Sequence, residues 1–246
     1  MDIAGRILNV SGKHSVDVYE GNSIRVLKLG VRHPLAREEL DRVNGFSSLQ
    51  TGVLRVKRGK VVACPVRYKY SRAAEERGIT LPLMSVTGVS EHEGRLLAGI
   101  RSGDVRFPNV MSPAPSGHVE FSLTPREAIE LELHEELGVP GKPRLMGAQF
   151  TPLYFSLIYH IELESGEVNP SWEWSNLFWI QKEKLDEFLK KNGKLLGPGF
   201  AAPFLLYLHR EGINPEPIAR KNRWNIRFGK LKELEWSLRA GPEIRL

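Results

Sequence analysis

Three glutamates, Glu132, Glu135 and Glu136, crowd together in the stretch SGHVEFSLTPREAIELELHEELGVPG, residues 116–141. On a helix turning about 100° per residue they are i, i+3 and i+4 neighbours, so their carboxylates converge on one arc. Like charges placed this way repel one another, and they lie towards a helix C-terminus, where the helix dipole disfavours anions. Two local penalties at one place imply a compensating cation. Oxygen ligands in this number suit Mg²⁺ or Mn²⁺, which keep some waters and bind substrate phosphates at the same time. Alone, the triplet reads more simply as a solvated acidic helix face; the flanking residues change that.

The helix that must carry these side chains is well marked. Thr124 is an N-cap residue, Pro125 suits the first helical position, and Glu127 completes a capping box. Ile129, Leu133 and Leu137 fill the face next to the glutamates. Gly138 supplies the left-handed residue past the end, and Pro140 forbids continuation. The helix is therefore expected from about Pro125 to Leu137.

Laid in order, Gly117, Glu132, Leu133, Glu135, Glu136, Gly138 and Val139 resemble the Nudix box of the Nudix hydrolases, G-x5-E-x7-R-E-U-x-E-E-x-G-U with U aliphatic. Two positions depart from it: Leu123 stands where the family has Glu, and Leu131 where it has Arg. Replacing both partners of an ion pair by apolar groups can be nearly neutral, whereas replacing one strands a charge. The resemblance implies a Nudix α/β/α sandwich with a mixed sheet, and hydrolysis of a diphosphate bond by metal-activated water. It implies that Glu132, Glu135, Glu136 and the Gly117 carbonyl hold the ion. Glu132, Glu135 and Glu173 become the candidate catalytic residues, with Glu132 and Glu173 the choices for the base. The implied substrate is a nucleoside diphosphate linked to another moiety. An alternative is a non-catalytic Nudix-like module that binds nucleotide or RNA. A Nudix-fold isomerase ranks last, because it calls for a catalytic Cys and the single cysteine, Cys64, falls outside the expected core.

Several further residues could meet a substrate. Arg101 closes a strand just ahead of a long loop and could grip a phosphate bidentately; Arg106 is a second choice. Trp172 and Trp174 bracket Glu173 in the polar run SWEWSN, where ligand contact is credible. His118 could touch a ligand or hold its loop by a hydrogen bond.

The remaining chain must position these groups. Residues 1–80 read as a small α/β unit, with strand-like runs at 3–10, 15–19, 24–29, 52–56 and 60–66 and a helix at 34–43. Residues 81–212 read as the Nudix domain. It has strands at 84–90 and 95–101, and a loop at 102–116 whose length suggests function. One long β run follows at 150–163, then a strand at 177–180 and helices at 182–191 and 201–210. Residues 213–246 read as a basic extension packed on the core. The formal net charge of +6 favours phosphate-rich partners in general. Nucleic acid is compatible but not favoured. A homodimer is open. No apolar run approaches the roughly 20 residues of a membrane span, and with no secretory pattern and one cysteine the reading is cytoplasmic.

Overall fold

The computed structural model describes residues 16–28, 49–67, 82–151, 153–230, 232 and 235–237. The strand expected at 3–10 and the helix at 34–43 lie outside the described residues.

Two hairpins form where the sequence places tight turns. Strands β3 (Leu49–Lys57) and β4 (Lys60–Arg67) are joined through Arg58 and Gly59, at φ 49° and 72°. Strands β5 (Leu83–His92) and β6 (Arg95–Arg101) are joined through Glu93 and Gly94, at φ 47° and 72°. Two successive positive φ values give the turn twist that matches a right-handed strand pair. Past their turn β5 and β6 pair only at Glu91–Leu96 and His92–Arg95. They then splay, and the gap between them is filled by β7 (Met111–Pro113) on β6 and β8 (Ser116–His118) on β5. The long loop of the sequence reading thus carries two short strands.

The β run expected at 150–163 holds one strand, and a strand that the sequence reading did not expect precedes it. β9 (Gly141–Phe150) ends where that run was to begin, and β10 (Tyr154–Leu163) returns antiparallel to it. Thr151 makes the corner: its Oγ1 accepts from the Tyr154 amide at 3.0 Å. The Pro143 and Gly147 in β9 hid it from a propensity reading. β10 then runs parallel to β5, with Ser156 beside Ser85 and Ile158 beside Thr87. β11 (Trp174–Gln181) pairs with β6.

Among the described residues the strands make one mixed sheet. Its main path is β12 (Ile226–Lys230), β1 (Val16–Glu20), β9, β10, β5, β3, β4 and β2 (Arg25–Lys28). β13 (Glu235–Ser237) pairs with β3. One sheet face packs under helix α1 (Pro125–Glu132) through Val86, Ala148, Phe155, Leu157, Ile129 and Leu137. The other packs under α2 (Leu185–Asn192), α3 (Pro198–Arg210) and α4 (Glu216–Lys221) through Val89, Ile158, Leu189, Phe204, Leu208 and Ile218. This is an α/β/α sandwich with a mixed sheet. The helix expected at 182–191 begins as a 3-10 turn, Lys182–Lys184, before α2. Among the described residues no helix is long and apolar enough to cross a membrane.

Candidate active site

β8 lies in the splay between β5 and β6, and α1 ends against it. α1 begins with the expected capping box: the Glu127 amide donates to Thr124 Oγ1 at 3.2 Å, and the Thr124 amide donates to Glu127 Oε2 at 2.7 Å. The helix does not run regularly to Leu137. After Glu132 it widens into a π-turn, Leu133–Leu137, closed by Gly138 at φ 67°. That turn carries Glu135 and Glu136, and π-turns inside helices recur at functional sites.

Glu132 and Glu136 meet β8. The Glu132 carboxylate lies over Gly117, where a Cβ would come within 1.6 Å of Oε1, so only glycine fits. Glu136 is 1% exposed. Its Oε2 accepts from the Ser116 amide at 3.2 Å and from Trp174 Nε1 at 3.0 Å, while its Oε1 is buried with no hydrogen-bond partner. Burial pushes the Glu136 carboxyl well above the ordinary range, and neighbouring Glu132 and Glu173 push it further; Arg101 and the Ser116 amide offset part of this. Glu132 is pushed up to about 8, by burial first and then by Glu135 and Glu173. Glu135 is exposed.

Arg101 links β8 to the loop that carries Glu173. Its guanidinium faces Glu173 Oε2 at 3.5 Å and Ser116 Oγ at 3.4 Å, its Nε donates to the Arg106 carbonyl at 3.3 Å, and it stacks 5.6 Å from the Trp174 ring. Arg106 lies over the rings of Phe107, at 4.9 Å, and Tyr154, at 5.1 Å. His118 stacks against Tyr154 and is held down to about 4 by burial and then by Arg106 and Arg101, so it is neutral at pH 7.

Gly117, Glu132, Glu136, Glu173 and Arg101 therefore come together, with Glu135 at the rim. Trp172 is 71% exposed beside them. Trp174 differs from the expectation of a substrate contact: it is buried, fixes Glu136, and packs so closely on Gly99 that a Cβ there would come within 2.4 Å of its ring. Leu131 is 42% exposed, whereas Leu123 packs against the core, so the two departures from the box occupy different environments. Sequence reading missed Ser116, whose amide is a backbone donor that no side-chain pattern reveals. It also missed Glu120, which adds to the charge around Glu132.

Two features fit a divalent cation: a buried carboxylate oxygen with no partner, and a glycine cradle filled by a second carboxylate. Carboxylates crowded enough to raise each other's pKa are the donor set that a hard cation relieves. As placed, no three acidic, histidine or cysteine side chains among the described residues form a ready ligand set.

No protein-family model matches this chain, and no curated protein is significantly similar to it. Solved structures similar to it include a Nudix-family hydrolase from Clostridium perfringens, at 19% identity over 51% of this chain and 97% of the other, with a TM-score of 0.38. A protein from Deinococcus radiodurans matches at 20% identity over 64% of this chain and 98% of its own, TM-score 0.49. A bifunctional NMN adenylyltransferase/ADP ribose pyrophosphatase from Francisella tularensis, solved with AMP and a manganese ion, matches at 16% identity over 58% of this chain and 45% of its own, TM-score 0.43.

Proposed function

We propose that this chain is a metal-dependent hydrolase that cleaves a diphosphate bond in a nucleoside diphosphate linked to another moiety. The observation that carries the reading is the buried Glu136, with one oxygen unpartnered, next to Glu132 in the Gly117 cradle. A buried carboxylate beside a half-buried one is unfavourable unless protonated or bound to a cation.

Glu132, Glu135, Glu136 and the Gly117 carbonyl would hold Mg²⁺ or Mn²⁺. When bound, such an ion lowers the pKa of water and neutralises charge on the diphosphate oxygens. Glu136 is locked by Ser116 and Trp174 and serves as the fixed ligand. Glu132 and Glu173 are the two candidates for taking a proton from the attacking water. Arg101 positions a phosphate: its contacts at 3.3–3.5 Å are long for hydrogen bonds, so a phosphate oxygen replaces them at little loss. Trp172, Arg106 and neutral His118 are the residues that would meet the rest of the substrate.

The test is a panel of nucleoside diphosphate derivatives with Mg²⁺ or Mn²⁺ in ¹⁸O water, with products read by mass spectrometry. Turnover with one ¹⁸O in a phosphate product, abolished by Glu136→Gln, supports the reading. Binding without turnover, unchanged in Glu136→Gln, sinks it and leaves a nucleotide-binding module.

A further inference from the structure

The cradle tolerates almost no displacement. Gly117 is on β8, Glu132 is at the far end of α1, and the segment 119–124 alone joins them covalently. A shift of that segment changes the register of one against the other. Its own side chains do little to hold it by charge: Leu123 packs on the core, and Leu131 in the helix above is exposed. Its backbone is tied instead to strands from the first part of the chain. The Thr51 amide donates to the Val119 carbonyl at 2.9 Å, and the Phe121 amide donates to the Leu49 carbonyl at 2.6 Å. Gln50 and Glu120 form an isolated bridge.

Two further carbonyls of the segment, those of Phe121 and Leu123, accept from one cation. Lys28, the last residue of β2, donates from Nζ to the Phe121 carbonyl and, at 2.6 Å, to the Leu123 carbonyl. The same ammonium lies 5.1 Å from the Phe121 ring centroid. A cation here, beside a helix N-terminus, is the wrong sign for the helix dipole. Its presence is explained by the two acceptors and by Glu127, the carboxylate of the capping box, whose charged form it favours. β2 is itself tied to β4, with Lys28 opposite Ala63, and β4 to β3, so the lysine is anchored in the sheet that also holds Leu49 and Thr51.

We infer that Lys28 is a positioning residue for the reaction proposed above: it clamps the 119–124 segment so that Glu132 stays seated on Gly117 and the acidic turn keeps its register with β8. The role of the first strands is thus to brace the site from outside it. The inference rests on the hydrolase reading for its chemistry, but its structural part can be read separately.

The test compares Lys28→Met, Lys28→Arg and the control Arg25→Met, an exposed residue of the same strand. Charge-assisted hydrogen bonds are among the strong ones, so Lys28→Met is expected to speed amide hydrogen exchange in residues 119–137 by about tenfold or more. Lys28→Arg keeps exchange within about threefold of the parent and Arg25→Met leaves it unchanged, because an arginine retains several donors and Arg25 holds nothing there. Mn²⁺ titration followed by electron paramagnetic resonance adds a readout that a merely structural lysine would not move. Half-saturation should rise about tenfold in Lys28→Met, return in Lys28→Arg, and do so with a melting temperature close to the parent's. Unchanged exchange in Lys28→Met, or an arginine variant no better than the methionine one, overturns the clamp. A parent protein that binds no Mn²⁺ overturns the hydrolase reading instead, and exchange alone then decides the clamp.

Discussion

Glu136 is the buried carboxylate of the site. Two donors fix one oxygen and nothing meets the other. Glu136→Gln keeps the shape and removes the charge. Without metal, the variant should melt at or slightly above the parent's temperature, because a buried carboxyl that resists ionisation is lost. With metal and substrate its kcat should fall by more than roughly a hundredfold, the upper range for losing even a partner that only orients a metal ligand. Glu132 gives a pH test. Its folded-state pKa of about 8 lies above the unfolded value near about 4.3, so between these the folded chain holds the extra proton. Stability from this group is full below the unfolded value and is lost as pH rises through about 8. Melting curves of chelator-treated protein should therefore fall across that window, and Glu132→Gln should flatten the slope. If the slope is identical in the variant, Glu132 does not titrate as described. Glu132 and Glu136 were legible in the sequence because helical spacing sets them on one arc and the flanking glycines complete the resemblance. Ser116 and the unpartnered oxygen were not, since both arise from how β8 meets the turn.

At the scale of elements, local chemistry was readable and register was not. The Thr124 cap, Pro125 and the Gly138 stop all lie within a few residues of what they control, and all three are found as the sequence reads. The π-turn depends on α1 reaching β8 with Glu132 over Gly117, a contact between parts of the chain that no periodicity encodes. β9 was missed for a similar reason: its partners β1 and β10 outweigh the poor strand propensity of its Pro and Gly. The difference between cap and cradle can be measured. Thr124→Ala should lower stability by about 1 kcal/mol with kcat nearly intact, since α1 still has tertiary packing on Ile129 and Leu133. Gly117→Ala should do the reverse. Its Cβ displaces the Glu132 carboxylate, so turnover collapses while the melting temperature changes less, because the displaced group is a charge that burial disfavours. Chemical denaturation and single-turnover kinetics on the two variants would expose an error if they ranked alike in both assays.

For the whole molecule, the sequence reading supplied the sandwich but not its strand order, because parallel neighbours such as β1 with β12 and β5 with β10 are far apart along the chain. What it does supply at this scale is charge. A net +6 sets a positive field around the chain, and Arg101 and Arg106 stand beside the carboxylates of the site. Such a field raises the encounter rate of an anionic substrate without changing the chemical step. It reaches about 30 Å at 0.01 M salt and only about 10 Å at 0.1 M. For the proposed diphosphate substrate, kcat/KM should therefore fall several-fold as salt rises through that range, with kcat nearly constant at saturating Mg²⁺. Arg101→Gln should lower kcat/KM at every salt concentration, since it removes a short-range phosphate contact, while leaving most of the salt slope in place. A slope that vanishes with Arg101 would mean that the steering is local to one side chain and that the surplus charge elsewhere serves another purpose.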